Sequence, residues 1–262
     1  MIRALRSAAS GMFAQQLNLD NIANNLANVN TTGFKKMEMQ FQDLMYQVLR
    51  PANASLSSNT IEPVELSIGH GVRPVANTRS FAQGTLMETN NALDVAITGN
   101  GFLQVQMPDG NVAYTRDGQI KLNPNGTLVT ASGYMLEPSI EVPPDTQQIL
   151  ISREGIVSII SAGQTMPDEV GQFELARFVN PAGLTSAGQG LYHETLASGP
   201  PIRGEAGRDG FGDIEQGFLE GSNVSVVEEM VDMITAQRAY EISSKGIKAA
   251  DEMMKEAVNL KR

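Results

Sequence analysis

The sequence predicts an α+β fold that is mainly β: an antiparallel barrel or sandwich-like domain flanked by N- and C-terminal helices of coiled-coil type that pair. Three observations predict it. Leu5, Met12, Leu19 and Leu26 recur every seven residues, with Ala8, Gln15, Ile22 and Val29 as a second line three residues further on. Val226, Met233, Tyr240, Ile247 and Met254 recur at the same interval near the other end, with Met230 and Val258 on the intervening line. Between them, Asx-Gly turns punctuate short alternating runs. Narrow heptad stripes are seams that need a partner helix, and Asx-Gly between alternating runs is the strongest local hairpin signal. The chain therefore divides into a helical part (1–34 with 223–262), an extended arm (35–68) and a β-rich domain (69–222).

The first helix is expected over Arg3 to Val29 and to stop near Asn28 to Asn30, with Gly33 available as a left-handed cap. Beside its apolar stripe run Asn18, Asn21, Asn25 and Asn28. This line reads either as a solvated polar face or as a hydrogen-bonded seam in which buried amides set register. The seam is preferred, because charged residues are the usual choice for a merely solvated face. Phe34 to Leu49 carries Phe34, Met37, Phe41, Leu44, Met45 and Val48, read as a short second helix or an irregular extension. Residues 51–68 are rich in Pro, Ser and Asn and read as an arm with little core of its own.

From Gly69 the pattern turns to period two. Strands are expected at Leu93 to Thr98, Phe102 to Met107, Ile149 to Ser152, Gly155 to Ser161 and Phe173 to Val179. Turns are expected at Gly99-Asn100-Gly101, Pro108-Asp109-Gly110, Asp117-Gly118 and Asn125-Gly126. Short strands at this spacing imply an antiparallel barrel or sandwich. Residues 180–222 read as further turns and a loose glycine-rich run. Ser222 or Ser225 then caps the last helix, with Glu228 and Glu229 at the positive end of its dipole.

Composition narrows the function. In 262 residues the net charge is −10, which disfavours nucleic acid and an electrostatic membrane surface. No cysteine is present, so thiolate chemistry and disulfides are excluded. Arg3 and Arg6 imitate the start of a signal peptide, but Ser7, Ser10, Gln15 and Gln16 interrupt any apolar run. No transmembrane run exists, so a soluble chain that does not use the general export route is expected. The only histidines, His70 and His193, lie in turn-rich contexts, and the glycine-rich runs lack a phosphate-binding frame. Glu228 with Glu229, and Asp251 with Glu252, read as solvated surface. No catalytic residue, cofactor or metal site is expected.

Three stretches carry a resemblance. SAASGMFAQQLNLDNIANNLANVNTTGFKK (Ser7 to Lys36) and SNVSVVEEMVDMITAQRAYEISSKGIKAADEMM (Ser222 to Met254) resemble the paired end signatures of the bacterial flagellar basal-body rod and hook family. ALDVAITGNGFLQVQMPDG with YTRDGQIKLNPNGTLVTASGY (Ala92 to Tyr134) resembles its β domain. Within the family, the length and the Tyr46 to Ile68 segment followed by GVRPVANTR are most similar to the distal-rod branch.

The resemblance implies a non-enzymatic subunit, exported unfolded by the flagellar type III apparatus without a cleaved signal. It implies a helical homopolymer that carries motor torque through the periplasm, with end helices packed between subunits and the β domain outside. Its neighbours would be proximal rod proteins, the hook protein and the bushing ring at the peptidoglycan and outer membrane; no nucleic acid and no membrane insertion are expected. The stripes then become an assembly interface: Leu5, Met12, Asn18, Leu19, Asn21, Ile22, Asn25 and Leu26 on the first helix, Val226, Met230, Met233, Tyr240, Ile247 and Met254 on the last. Two rivals stand beside this reading. One is another rod or hook subunit; the other is a periplasmic cell-wall enzyme, for which no protected carboxylate or histidine site is in view.

Overall fold

The computed structural model describes residues 2–50, 55–57, 60–61, 64–162 and 166–259, with two long helices and a predominantly antiparallel β remainder. The chain forms two compact units. One comprises Met1–Leu26, Met37–Thr78 and Ser225–Arg262; the other comprises Ala27–Lys36 and Arg79–Val224.

The first unit holds both helices and a β ribbon. Helix α1 spans Ile2–Ala27 and helix α2 spans Val226–Asn259. Ser225 stands immediately before α2, and its carbonyl accepts the Glu229 N–H. The ribbon is a set of nested ladders: Met37–Asp43 with Val72–Arg79, Tyr46–Arg50 with Leu66–Gly69, and Ser55–Ser57 with Thr60–Ile61. Of the two alternatives for 34–49, a short helix or an irregular extension, the helix is excluded: the run forms two regular strands. Its true grammar is period two: Met37, Met39 and Phe41 alternate with Glu38, Gln40 and Gln42. An alternating face favours extended backbone over a helix whose apolar residues would scatter around its circumference. Residues 51–54, 58–59 and 62–63 of the arm lie outside the described residues.

The second unit is built on a curled nine-stranded antiparallel sheet. Its central strand, Phe102–Gln106, pairs with Val112–Thr115 on one side; on the other it pairs with Met135–Glu137 and with Glu174–Arg177. Both faces are covered, which period two makes legible residue by residue. Leu103, Val105, Ala113, Leu175 and Leu191 enter the main core with Val157, Ile159 and Ile214. Their neighbours Phe102, Tyr114, Ala176 and Tyr192 enter a separate aromatic cluster with Phe178. The aromatic rings meet edge to face, as at Tyr114 and Phe178 with centroids 4.8 Å apart. The 180–222 stretch, read from sequence as turns, contributes strands Thr185–Gly188, Leu191–His193, Ile202–Glu205, Asp213–Gln216 and Phe218–Glu220.

Closure of this unit is non-local. Val95–Thr98 pairs with Asp213–Gln216, and Leu86–Glu88 pairs with Phe218–Glu220. At the same end, Lys35 donates from Nζ to Glu220 Oε1 at 2.6 Å and to the Ala82 carbonyl at 2.8 Å. Both charged side chains are fully buried. Gly84 N–H donates to the same carboxylate oxygen, and Gly33 N–H donates to the Glu220 carbonyl. Arg116 approaches the other carboxylate oxygen at 3.5 Å. Burial pulls the Lys35 ammonium below its usual value, with Glu220 opposing the shift. Asn223 completes the clamp by accepting the Lys36 N–H and donating to the Ser80 and Ala82 carbonyls.

Two glycines are required for close approach. Gly33 has φ +67, but α1 has already ended at Ala27, so it is not the helix cap expected. A Cβ there would lie 2.8 Å from the Arg116 carbonyl carbon, so the glycine lets this segment reach the sheet. Gly118 likewise is no hairpin turn; a Cβ would stand 1.6 Å from the Val95 carbonyl oxygen. Beside them, Asp117 Oδ1 accepts from Thr32 Oγ1 at 2.9 Å and from the Gln119 N–H at 3.2 Å.

Burial raises the Asp117 carboxyl above its ordinary value; the two hydrogen bonds oppose this and the Asp94 charge adds to it. A carboxyl whose folded value is raised favours the native state when protonated. Its contribution is complete below the unfolded value and is lost as pH rises through the folded one. Asp117→Asn keeps the acceptor and removes the buried charge. Urea denaturation should give a midpoint at or above wild type at pH 7, with the difference closing at about pH 4.

Candidate assembly interface

The two helices pair through small side chains. Asn25 Nδ2 donates to Glu229 Oε2 at 3.2 Å, and an added Cβ at Gly11 would stand 3.5 Å from Ser243 Oγ. These contacts lie two heptads apart on each helix and run in opposite directions, so the pair is antiparallel. The buried line on α2 is Glu229, Ala236 and Ala250, with half-buried Ser243 between the alanines. Among the described side chains of α1, Ala14, Asn21, Ile22 and Asn25 are buried. Small residues let helix backbones approach closely, and the seven-residue spacing keeps them on one side.

Most of the stripe residues expected at an interface sit outside this seam. Leu5, Met12, Asn18, Leu19 and Leu26 are half-buried, and Ile22 is buried. On α2, Met233, Ile247 and Met254 are half-buried, while Val226, Met230 and Tyr240 are exposed. Val226, Val227, Met230, Val231 and Ile234 make a continuous apolar surface on the first turns, each between 41 and 73 % exposed. Phe13 on α1 is also exposed. The sequence reasoning missed the Glu229–Ala236–Ser243–Ala250 line. Its spacing was visible, but alanine and serine give almost no hydrophobic signal.

Glu229 corrects an expectation. Read as solvated beside Glu228, it is 1 % exposed, whereas Glu228 is exposed. It faces the asparagine line of α1, which does more than join helix to helix. Asn25 Oδ1 accepts the Met37 N–H at 3.0 Å, while Asn25 Nδ2 donates to the Met37 carbonyl at 2.9 Å. Asn21 Nδ2 reaches the same carbonyl at 2.8 Å, and Asn77 donates to Asn21 Oδ1 at 3.3 Å. The Asn25 amide thus pairs with the backbone of Met37 as another strand would, fastening the ribbon base to α1. Such satisfied buried amides set register by making every slipped alternative leave polar groups unpaired.

The ribbon itself has little cover. Met45, Tyr46, Val48, Leu49, Leu66 and Ile68 are exposed. Most of the exposed large hydrophobics among the described residues belong to the helix–ribbon unit, although it holds under half of the chain. Its buried apolar residues are only Ala14, Ile22, Ala236 and Ala250 among those described. No group of three or more potential metal ligands occurs among the described residues, and no helix there is long and apolar enough to cross a membrane.

Comparisons with known proteins agree in order and extent. Residues 5–35 match the family model described as flagella basal body rod protein, residues 96–159 the flagellar hook protein FlgE/F/G D1 domain, and residues 215–260 the flagellar basal body rod FlgEFG protein C-terminal. The flagellar basal-body rod protein FlgG of Borreliella burgdorferi is 52 % identical over 264 residues, covering all of both chains. That of Buchnera aphidicola subsp. Schizaphis graminum is 50 % identical, over 99 % of this chain and all of its own. The flagellar basal-body rod protein FlgF of Caulobacter vibrioides is 34 % identical, over 98 % of this chain and 97 % of its own.

The Asn25 contacts set an expected outcome. Asn25→Ala removes the acceptor of the Met37 N–H in a buried site, at a cost of roughly 1–3 kcal/mol. Hydrogen exchange at the Met37 amide should accelerate at least about tenfold, while amides of the central strand Phe102–Gln106 keep their rates. Unchanged exchange at Met37 would show the helix-to-ribbon link to be dispensable.

Proposed function

The chain belongs to the flagellar basal-body rod protein family, and from that premise we propose that it is the structural subunit of the distal rod. Copies would assemble into a helical tube acting as the drive shaft between motor and hook. The observation that carries this reading is the imbalance between the two units. The β unit fills two cores and covers both faces of its sheet. The helix–ribbon unit buries four apolar side chains among those described, three of them alanines, and leaves valines, isoleucines and methionines exposed.

Burying one such large side chain is worth about 1.5–3 kcal/mol, and alanines supply far less. A two-stranded ribbon is itself marginal in water. A unit of this kind gains its stability when neighbours cover its surface. Contacts made head to tail along a rotation that does not close produce a filament, not a ring. The relatives named FlgG support the distal position: they are 49–52 % identical in the first three cases, against 34 % for the FlgF relative.

The finer reading follows the family. The subunit works without catalysis, lies in the periplasmic part of the basal body, and reaches it through the flagellar export apparatus. It contacts proximal rod proteins below, hook protein above and the bushing ring around it. The interface residues are Leu5, Met12, Asn18, Leu19, Asn21, Ile22, Asn25 and Leu26 with Val226, Met230, Met233, Tyr240, Ile247 and Met254. Residues 46–68 form an arm that contacts neighbouring subunits and stiffens the shaft; the exposed apolar residues on both strands at its base support this.

Limited proteolysis of free and polymerised protein tests the assembly reading. The helical ends should be trimmed in the monomer and protected in the polymer; protection in both states would exclude it. Electron micrographs of polymer from a chain lacking 51–63 test the arm, since the deleted filament should curve more than wild type. A filament as straight and stiff as the parent would remove the arm from the mechanism.

A further inference from the structure

The chain enters the β unit at residue 27, leaves it for the ribbon after 36, returns at 79 and passes to α2 after 224. The first and last of these segments touch. Gly33 N–H donates to the Glu220 carbonyl at 2.8 Å, and Lys36 N–H donates to Asn223 Oδ1 at 2.7 Å. A step of three residues on one segment matches a step of three on the other, so 33–36 and 220–223 run in the same direction. Between these two bonds, Lys35 Nζ reaches Glu220 Oε1 at 2.6 Å.

Direction decides how this patch answers a pull. Tension entering at residue 27 and leaving at residue 224 draws two parallel segments from opposite ends, which loads the three bonds together, in shear. The neighbouring contact has the other geometry. Leu86–Glu88 and Phe218–Glu220 are antiparallel, Gly221 N–H donates to the Thr85 carbonyl, and Asn223 Nδ2 donates to the Ala82 carbonyl. Tension between residues 82 and 224 therefore opens that ladder from one end, bond by bond. The Lys35 and Glu220 side chains have no exposure, so water does not replace their bond until the segments have already slid apart.

We propose that the patch joining 33–36 to 220–223 is a mechanical clamp, which carries tension across the β unit directly between the segments that connect it to α1 and α2. A load that crosses at this patch does not travel along the chain through the ribbon or the nine-stranded sheet, so both keep their hydrogen bonds while the clamp holds. The inference rests on the assembly reading for the source of the load alone: end helices held by different neighbours would pull on residues 27 and 224. The clamp itself belongs to one chain, so pulling on single molecules tests it whether or not copies polymerise.

The chain has no cysteine, so force handles attach only where thiols are introduced. In the full-length protein, Ala27→Cys with Ser225→Cys loads the clamp in shear, and Ala82→Cys with Ser225→Cys opens the antiparallel ladder; all three positions are exposed. In an optical trap at one pulling rate, the 27/225 pair should unfold at a force at least about twofold above the 82/225 pair, because three bonds, one of them charge-assisted, resist at once. Lys35→Met should lower the 27/225 force by about half, since a charge-assisted bond weighs roughly as much as two neutral ones. Slow hydrogen exchange across Phe102–Gln106 identifies that variant as folded, and if it does not fold, the two handle pairs on the intact cluster still decide. Equal forces in the two geometries, or an unchanged 27/225 force in folded Lys35→Met, would overturn the proposal.

Discussion

The buried pair between Lys35 and Glu220 is the contact on which the β unit depends. Neither partner has water to fall back on, since both side chains are fully buried at 2.6 Å. Taking two charges out of water costs several kcal/mol each, and only close pairing with added hydrogen bonds offsets it. The Ala82 carbonyl, the Gly84 N–H and the approach of Arg116 provide that support. Losing one partner of such a pair typically costs about 3–5 kcal/mol, because the other is left charged and uncompensated. The pair joins residue 35, near the end of the unit's first segment, to residue 220, near the end of its second. Strand pairing of 86–88 with 218–220 and of 95–98 with 213–216 follows the same long-range closure.

The two units handle apolar surface in opposite ways, and function follows from the difference. In the β unit, alternate residues of one strand feed two cores, so most of its apolar side chains in the sheet are covered within the unit. In the helix–ribbon unit, specificity comes from polar contacts: Asn21, Asn25, Asn77, Glu229 and the backbone of Met37 set which residue meets which. Many of its large apolar side chains remain exposed. Polar groups set register within the unit, while the exposed apolar groups take little part in its internal packing.

Much of this architecture was legible in residue order. Helices at both ends, the Asx-Gly hairpins at 109–110 and 125–126 and the strands near 95–98, 102–106 and 156–161 follow from period and turn chemistry alone. The misses have two causes. Met37 to Asp43 was left between a short helix and an irregular extension because its apolar residues fit more than one period over so short a run. Glu229 was read as solvated because its partner, Asn25, stands 204 positions away in sequence. Lys35, Arg116 and Glu220 gave no signal as a cluster because they come from three distant stretches.

By itself the sequence determined the periodic elements, the absence of cysteine chemistry, the acidic balance and the family signature at each end. These depend on residue type and local spacing, which a chain carries whether or not it is folded. Only the tertiary structure decided which helix line is the inner seam, which asparagines hold the ribbon, and which carboxylate is buried. It also decided that glycines 33 and 118 answer to an approaching backbone instead of to a cap or a turn. The physical reason is that burial and pairing are properties of neighbours in space. The opening heptad thus announced a helix in need of a partner, and folding showed that Gly11 and Asn25 face the second helix while most of its large residues stay half-buried.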